Sequence, residues 1–235
     1  SGNFEQMGMT LPLVLQKFES KLPGNPALVT SDEDLKKMGD LDKGTYKYSV
    51  ADYFARPKAN SFQLSPNGKY LSYFEKDDNN KNHVYVKEIA TGKVVRAIEE
   101  KDELIKGYGW VNNERLVFAM DQGGNENYHI YAANIDGSNV KDLTPFEGVQ
   151  ATILNNLKEQ KDYIIIQMNK NNKQIFEPYK LNVNTGDLTQ LFENDDVNNP
   201  ISGYDFDKDG NLRAYSKMVN GTESELWYKD LETGE

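Results

Sequence analysis

The sequence contains no cysteine and only two histidines, His83 and His129, among its 235 residues. Without cysteine, disulfide bonds and thiolate metal sites are excluded. No apolar run approaches the roughly 18–20 residues that a helix needs to cross a bilayer, so no membrane span is expected. Basic residues are also scarce, with 27 Lys and Arg against 37 Asp and Glu and a net charge of −10. Nucleic acid is therefore not an expected partner, because binding it requires a basic surface.

The familiar signatures of catalysis are missing as well. The Gly-x-Ser-x-Gly elbow of serine hydrolases does not occur, nor do a phosphate-binding loop, a dinucleotide fingerprint or a His-Glu-x-x-His motif. No serine stands at a recognisable offset from either histidine, and a lone histidine at a strand start is usually structural. We therefore assign no catalytic, cofactor-binding or metal-binding residue and expect the chain by itself to be non-catalytic.

The sequence does contain an internal repeat. Between Phe62 and Gly92, apolar residues alternate with polar ones in three short runs separated by turn residues, the pattern of β-strands. A turn glycine recurs at spacings of 45, 49 and 48 residues, at Gly92, Gly137, Gly186 and Gly234. A second-strand landmark recurs at spacings of 45, 48 and 48 residues, at Leu71, Leu116, Ile164 and Leu212. Two landmarks that keep step over four copies indicate a true repeat.

A period of about 40–50 residues with several strands per unit is typical of β-propeller blades, which are four-stranded sheets packed on their neighbours. We therefore predict an all-β fold, a partial propeller of about four blades with antiparallel strands. The blades are expected over residues 60–100, 104–145, 150–193 and 201–235. The last copy stops before a fourth strand, which predicts an incomplete last blade and a fragment of a longer protein.

Residues 1–59 do not follow the repeat and are expected to form a leader with one or two short helices. Apolar residues at helical spacing predict a helix over 11–22, and a second is expected over 32–38. Residues 46–54 are expected to form a strand or turn that leads into the first blade.

The alternation also predicts which side chains form the core. These are Leu64, Leu71, Tyr73, Val84, Val86, Leu116, Phe118, Ile130, Ile135, Ile164, Ile166, Leu181, Leu212 and Leu226.

Three runs in the first two repeats resemble a known family. They are Gln63–Leu71, Gly123–Tyr131 and Asp142–Ala151, and in this order they resemble the propeller domain of the prolyl oligopeptidase family of serine peptidases. The resemblance is to the acylaminoacyl-peptidase and dipeptidyl-aminopeptidase side of that family. The first run alone is less specific, because TolB-like propellers share its Ser-Pro-Asn-Gly turn. Asn67 stands where the family usually has aspartate, and the second repeat lacks the Pro-Asp-Gly turn.

The resemblance implies a division of labour. In that family an α/β-hydrolase domain follows the propeller, which covers the active site and restricts entry to peptides. By that analogy the chain is the lid of a peptidase that acts on short peptides, with the hydrolase domain beyond residue 235. One alternative is a stand-alone TolB-like propeller that acts as a protein-binding scaffold, and a carbohydrate-binding or lyase propeller is a third option. Self-association is a further expectation, because a partial array leaves sheet faces and a strand edge open.

One acidic motif has two readings. Asp205, Asp207 and Asp209 precede Gly210 in the way that a calcium loop begins, but position twelve of such a loop is Ser216 here instead of glutamate. The same residues align with the turn of the first repeat and are equally explained as a hairpin. The sequence leaves ion binding open, and it leaves open whether the chain resides in the cytoplasm or outside it.

Overall fold

The computed structural model describes residues 31–33, 36–37, 47–48, 50–55, 57–230 and 233. The chain divides into two units, residues 1–56 and residues 57–235. The helix predicted over 11–22 lies outside the described residues. No helix in the described part is long and apolar enough to cross a membrane.

The first unit contains helical residues. Residues 32–33 and 36–37, inside the second predicted helix, are helical. A five-residue helix, α1, spans Val50–Phe54, so the strand or turn expected over 46–54 was wrong for residues 50–54. The alternation of Tyr46, Tyr48 and Val50 with Lys47 and Ser49 is typical of a strand, but the residues that follow are helical. Asp52 lies in the first turn, where a negative charge favours the helix N-terminus.

Within residues 57–230, fifteen strands form four antiparallel sheets, each an up-and-down meander in chain order. Sheet 1 contains β1 (Ala59–Leu64), β2 (Tyr70–Lys76), β3 (Asn82–Glu88) and β4 (Val94–Ile98). Sheet 2 contains β5 (Ile105–Trp110), β6 (Arg115–Met120), β7 (His129–Asn134) and β8 (Lys141–Asp142). Sheet 3 contains β9 (Ala151–Asn155), β10 (Tyr163–Asn172), β11 (Ile175–Asn182) and β12 (Leu188–Gln190). Sheet 4 contains β13 (Ile201–Phe206), β14 (Leu212–Val219) and β15 (Glu223–Tyr228).

This architecture confirms the predicted fold class. In the described part of the chain, three sheets have four strands and the last has three, which is compatible with a partial propeller whose final blade is incomplete. The assignment of residues 1–59 and 60–235 to separate domains, and the blade limits given above, remain predictions.

The core lies between successive sheets. Sheets 1 and 2 bury one cluster that includes Val84, Leu116 and Phe118. Sheets 2 and 3 bury a second cluster that includes Ile130 and Ile166. Each face of sheet 2 therefore packs on a neighbour, which is why β6 is buried along most of its length.

Most of the predicted core positions are buried. The buried ones are Val84, Val86, Leu116, Phe118, Ile130, Ile164, Ile166 and Leu181. Leu71, Tyr73, Ile135 and Leu212 are half-buried. Leu64 and Leu226 are 60% and 69% exposed, so their prediction was wrong. Leu64 pairs with Leu71 on the face of sheet 1 opposite Ser72 and Phe74, and those two residues are buried.

Strand register supports the second-strand landmark of the repeat and shows one irregularity in sheet 4. The second and third strands of the four sheets align the pairs Tyr73–Tyr85, Phe118–Tyr131, Ile166–Tyr179 and Tyr215–Trp227. In the first-strand pairing, Leu212 pairs with Phe206 as Leu71 pairs with Leu64 and Leu116 with Trp110, so Leu212 is the counterpart of Leu71. The register shifts directly after this pair, since Ala214 pairs with Asp205, and Arg213 is the extra residue in β14.

The repeat extends to contacts between sheets. Asn112 Nδ2 donates to the Lys161 carbonyl at 2.8 Å, which joins sheets 2 and 3. Forty-eight residues later, Gln160 Nε2 donates to the Asp209 carbonyl at 2.7 Å and joins sheets 3 and 4. The same turn-to-turn bond therefore recurs at the same end of two successive sheet pairs.

Candidate functional site

Two of the sequence runs that resemble the prolyl oligopeptidase family, Gly123–Tyr131 and Asp142–Ala151, lie next to each other in the structure. Gly123–Tyr131 forms the loop after β6 and the first half of β7, and Asp142–Ala151 leads from β8 to β9. Leu143 N donates to the Ile130 carbonyl, and Ala151 N donates to the Tyr128 carbonyl, both at 2.8 Å. The two runs are thus held next to each other by main-chain hydrogen bonds.

Buried polar side chains complete this pairing. Thr144 is fully buried, and its hydroxyl oxygen accepts a hydrogen bond from Ile130 N at 2.9 Å. His129 is 7% exposed, and its Nδ1 lies 2.8 Å from Asp142 Oδ2. A buried polar group needs a hydrogen-bond partner, and Asp142 is that partner for the buried ring of His129. The arrangement is consistent with the structural role expected for a lone histidine.

The glycine-rich loop is held at three points. Glu103 Oε1 accepts a hydrogen bond from Gly123 N at 2.7 Å, and Asp121 Oδ2 accepts one from Glu126 N at 3.2 Å. Gln150 Nε2, on the way to sheet 3, lies 3.4 Å from the Glu126 carbonyl. Gly123 has φ of +68°, a conformation that glycine adopts without a steric penalty. The glycine-rich run therefore forms a loop whose conformation is fixed by hydrogen bonds with neighbouring segments.

His83 occupies the corresponding position in sheet 1. Its Nδ1 accepts a hydrogen bond from Glu100 N at 3.0 Å, so the ring proton is on Nε2, 3.4 Å from Asp77 Oδ2. The main-chain N–H of Lys81 is the largest cause of a lowered pKa at Asp77. The hydrogen-bond partners of both histidines in the described part of the chain are acidic residues or main chain. A catalytic pairing with serine is not seen there.

A buried carboxylate in sheet 3 was missed by sequence reasoning. Glu177 is 6% exposed and accepts hydrogen bonds from Asn171 Nδ2 at 2.7 Å and Gln190 Nε2 at 2.8 Å. The Tyr179 hydroxyl donates to the same carboxylate at 3.1 Å. Burial, followed by the charge of Glu177, raises the pKa of Tyr179 to about 12. The signal in the sequence was a glutamate in a strand at the position of His83 and His129.

The acidic motif of the fourth repeat forms a hairpin turn. Asp207 Oδ1 accepts hydrogen bonds from Asp209 N at 3.0 Å and Asn211 N at 2.9 Å. The bond from Asn211 is the main cause of a lowered pKa at Asp207. Within the described ranges, no three acidic or histidine side chains are grouped in a way that could hold a metal ion. The oxygens of Asp207 are thus already engaged by the turn, while ion binding by Asp205, Asp207 and Asp209 stays untested.

Two concave regions lie along the sheets. A groove of about 640 Å³ borders sheet 4 and is lined by Phe192, Tyr215 and Trp227. The rings of Tyr215 and Trp227 are parallel, with centroids 6.1 Å apart. Its lining comes from all three strands of sheet 4, from the turn between β13 and β14, and from Leu191 and Phe192 after sheet 3. A second cleft, of about 340 Å³, lies between the first strands of sheets 2 and 3.

Sequence comparison connects the chain to peptidases. It is 31% identical over 176 residues to dipeptidyl aminopeptidase BIII of Pseudoxanthomonas mexicana, a match covering 74% of this chain and 25% of the relative. It is 28% identical over 184 residues to dipeptidyl peptidase family member 6 of Caenorhabditis elegans, covering 74% of this chain and 24% of the relative. The chain thus spans about a quarter of the length of these curated relatives. No protein-family model matches it.

Solved structures share the fold at low identity. Oligopeptidase B of Leishmania major matches with a TM-score of 0.50 and 12% identity, over 74% of this chain and 25% of that one. An oligogalacturonate lyase of Vibrio parahaemolyticus matches with a TM-score of 0.51 and 11% identity, over 77% and 54%. Because a peptidase and a lyase share it, the fold alone does not define an activity.

The fold and its repeated sheets define the class of the chain, which is part of a β-propeller. Sequence then narrows the class to one family. The relatives are dipeptidyl peptidases, and the resemblance noted in the sequence is confirmed: the chain is related to the propeller of the prolyl oligopeptidase family.

Proposed function

We propose that this chain is the lid of a serine peptidase that hydrolyses short peptides. In this proposal residues 60–235 form propeller blades that restrict entry, residues 1–59 form a leader, and a catalytic α/β-hydrolase domain lies beyond residue 235. The observation that carries the proposal is the 31% identity to dipeptidyl aminopeptidase BIII, over 74% of this chain. The two runs that carry the resemblance to that family, Gly123–Tyr131 and Asp142–Ala151, also support it, since they are hydrogen-bonded to each other.

The division of labour follows from chemistry as well as similarity. Acyl transfer by a serine needs a nucleophile, a base that it contacts and an oxyanion hole. Neither His83 nor His129 contacts a serine in the described part of the chain, and each is engaged by an acidic residue. The propeller is therefore assigned to access and positioning, and the covalent steps are assigned to the hydrolase domain.

The first test is to read the coding sequence downstream of residue 235. The proposal expects a Gly-x-Ser-x-Gly elbow, followed by the aspartate and the histidine of a catalytic triad. A reading frame that ends after one or two further repeats would contradict it. That result would favour the alternative, a stand-alone TolB-like propeller that acts as a protein-binding scaffold.

The second test addresses the lid with the complete gene product. We expect it to release dipeptides from short peptides that have a free N-terminus and to leave folded proteins intact. Replacing Asn112 and Gln160 by alanine removes both turn-to-turn bonds between sheets. The double variant is expected to hydrolyse long unfolded peptides faster relative to short ones. The matched control is Asn184→Ala, which removes a bond to Asp162 within sheet 3.

An unchanged ratio between long and short substrates in the double variant would contradict the lid. The peptidase assignment would survive that result, because hydrolysis of the short peptide is measured in the same assay.

A further inference from the structure

The cleft between sheets 2 and 3 contains two glycines that the backbone does not require. Gly107 and Gly109 lie within β5, and neither is among the residues with positive φ. A Cβ atom placed on either glycine would meet nothing within 4 Å. A glycine inside a strand costs stability and often marks a place where another backbone approaches closely. Neither conformation nor packing therefore explains this pair.

Register shows that both glycines face sheet 3. Gly109 pairs with Val117 and Gly107 with Ala119. Val117 is fully buried in the cluster shared by sheets 2 and 3, and Ala119 packs against that cluster. Directly paired residues of antiparallel strands lie on the same face of a sheet. The missing side chains therefore open the cleft.

The same position is filled in the neighbouring sheets. Gln63, Gly109 and Asn155 each pair with the residue that follows the second-strand landmark. Gln63 Nε2 donates to the Tyr108 carbonyl at 3.1 Å, across to sheet 2. Asn155 Nδ2 donates to the Phe206 carbonyl at 3.2 Å, across to sheet 4. Gly109 has no side-chain amide. Among the described residues, sheets 2 and 3 therefore lack the side-chain hydrogen bond that Gln63 and Asn155 make between neighbouring first strands.

The residues that line the cleft indicate which kind of ligand it could bind. Its walls include Val117, Ile130 and Ile153, and its volume of about 340 Å³ is at the small end of the range for ligand pockets. The first strand is an edge strand of its sheet, so β5 has an unpaired main-chain edge. Lys106 also lines the cleft, and its Nζ lies 3.9 Å from the centroid of the Tyr128 ring. Lys106 makes no ion pair within the described residues.

We propose that this cleft binds an extended peptide, which places an apolar side chain between sheets 2 and 3 and a carboxylate near Lys106. The glycines allow the peptide backbone to approach β5 closely, the apolar walls receive its side chain, and the charge of Lys106 selects an acidic neighbour. The choice of a peptide as the occupant rests on the proposed function. Leucine and glutamate two residues apart satisfy both contacts, because alternate side chains of an extended chain point the same way.

The test uses the 235-residue chain and the peptide Ac-Ser-Leu-Ser-Glu-Ser-amide. In a ¹H–¹⁵N NMR titration, the amide signals of Gly107 and Gly109 should shift and saturate. Replacing leucine by glycine in the peptide should weaken binding about tenfold, a loss that corresponds to roughly 1.4 kcal/mol. Shifts confined to other parts of the chain, or no shifts at millimolar peptide, would overturn the proposal.

Variants of the chain locate the site by calorimetry. Gly109→Val fills the cleft and should remove peptide binding while the thermal midpoint stays the same or rises. Lys106→Gln should weaken binding of the glutamate peptide and leave a glutamine version of that peptide unaffected. The matched control is Gly203→Ala in β13, where a new Cβ would lie 4.0 Å from Ser216 Cβ. Unchanged binding in Gly109→Val would refute the site.

These measurements need no hydrolase domain. A downstream elbow together with an empty cleft would refute only this inference, while peptide binding in the cleft without such an elbow would refute only the lid.

Discussion

Equivalent positions in sheets 2 and 4 should differ sharply in their contribution to stability. Ile130 pairs with Ala119, and Leu226 pairs with Ser216 at the same point of the repeat. Ile130 is 1% exposed and belongs to the core between sheets 2 and 3, whereas Leu226 is 69% exposed. Replacing each by alanine therefore compares an interior sheet face with an open one at nearly constant chemistry.

The magnitude follows from burial. Ile130→Ala removes three buried carbon groups, a transfer loss of about 2.4 kcal/mol at about 0.8 kcal/mol each. The cavity left between two packed sheets raises the loss of unfolding free energy to about 3–4 kcal/mol. For a unit of this size the thermal midpoint should fall by about 10 °C. Leu226→Ala should change the unfolding free energy by less than about 0.5 kcal/mol, because most of the Leu226 side chain is already exposed to solvent in the folded chain.

Urea unfolding followed by circular dichroism measures both variants against the original chain. The two values should differ at least about fourfold. Equal losses would refute the reasoning, since Leu226 would then be covered in solution and sheet 4 would not end with an open face.

Three further predictions concern single groups. Glu177→Gln should lower the unfolding free energy by about 1–3 kcal/mol, because the new amide places a donor against the donors that surround it, including Gln190 Nε2; urea unfolding that matches the original would contradict this. Burial raises the pKa of Tyr179 to about 12 from 10.0, so the unfolded chain loses this proton first. Stability that is present below about pH 10 should therefore decline towards pH 12, and Tyr179→Phe should reduce that decline in unfolding measured at several pH values. An identical slope in the variant would exclude Tyr179 as a source. Gly137→Ala should cost more than about 1 kcal/mol, because Gly137 has φ of +84° and a Cβ there would lie 3.1 Å from a main-chain oxygen. Gly107→Ala, with open space around it, is the control and should not destabilise the chain.

Local pattern was sufficient to predict the sheets. Alternation and turn glycines repeat in every copy, and strands form where both signals agree. The third strand shows this best, since Tyr85, Tyr131, Tyr179 and Trp227 occupy one position in all four sheets. The expectation for residues 46–54 failed because Tyr46, Tyr48 and Val50 alternate with polar residues as in a strand, whereas Val50–Phe54 form a helix.

Which face of a strand is buried could not be read from one strand. In β2 both alternating sets contain aromatic residues, Tyr73 in one and Phe74 in the other. Only the neighbouring sheet decides between them, and sheet 2 packs on the side of Phe74. Leu64 and Leu226 were misplaced for the same reason, because an apolar residue in a terminal sheet is buried only if another sheet follows on its side.

The polar part of the candidate site was beyond sequence reasoning for a different reason. Three of the contacts join residues that lie 13 to 24 positions apart in the sequence, namely His129 with Asp142, Glu177 with Gln190 and Gln150 with Glu126. Each forms only once the meander has folded. The cleft at Gly107 and Gly109 became visible through comparison with Gln63 and Asn155, which required the pairing register.

The proposed function requires a catalytic serine that lies outside these sheets. Reaction of the complete gene product with a fluorophosphonate probe, followed by peptide mass mapping, tests this most directly. We expect one covalent adduct, on a serine outside residues 1–235. A complete product that forms no adduct, or one whose adduct lies within residues 60–235, would contradict it.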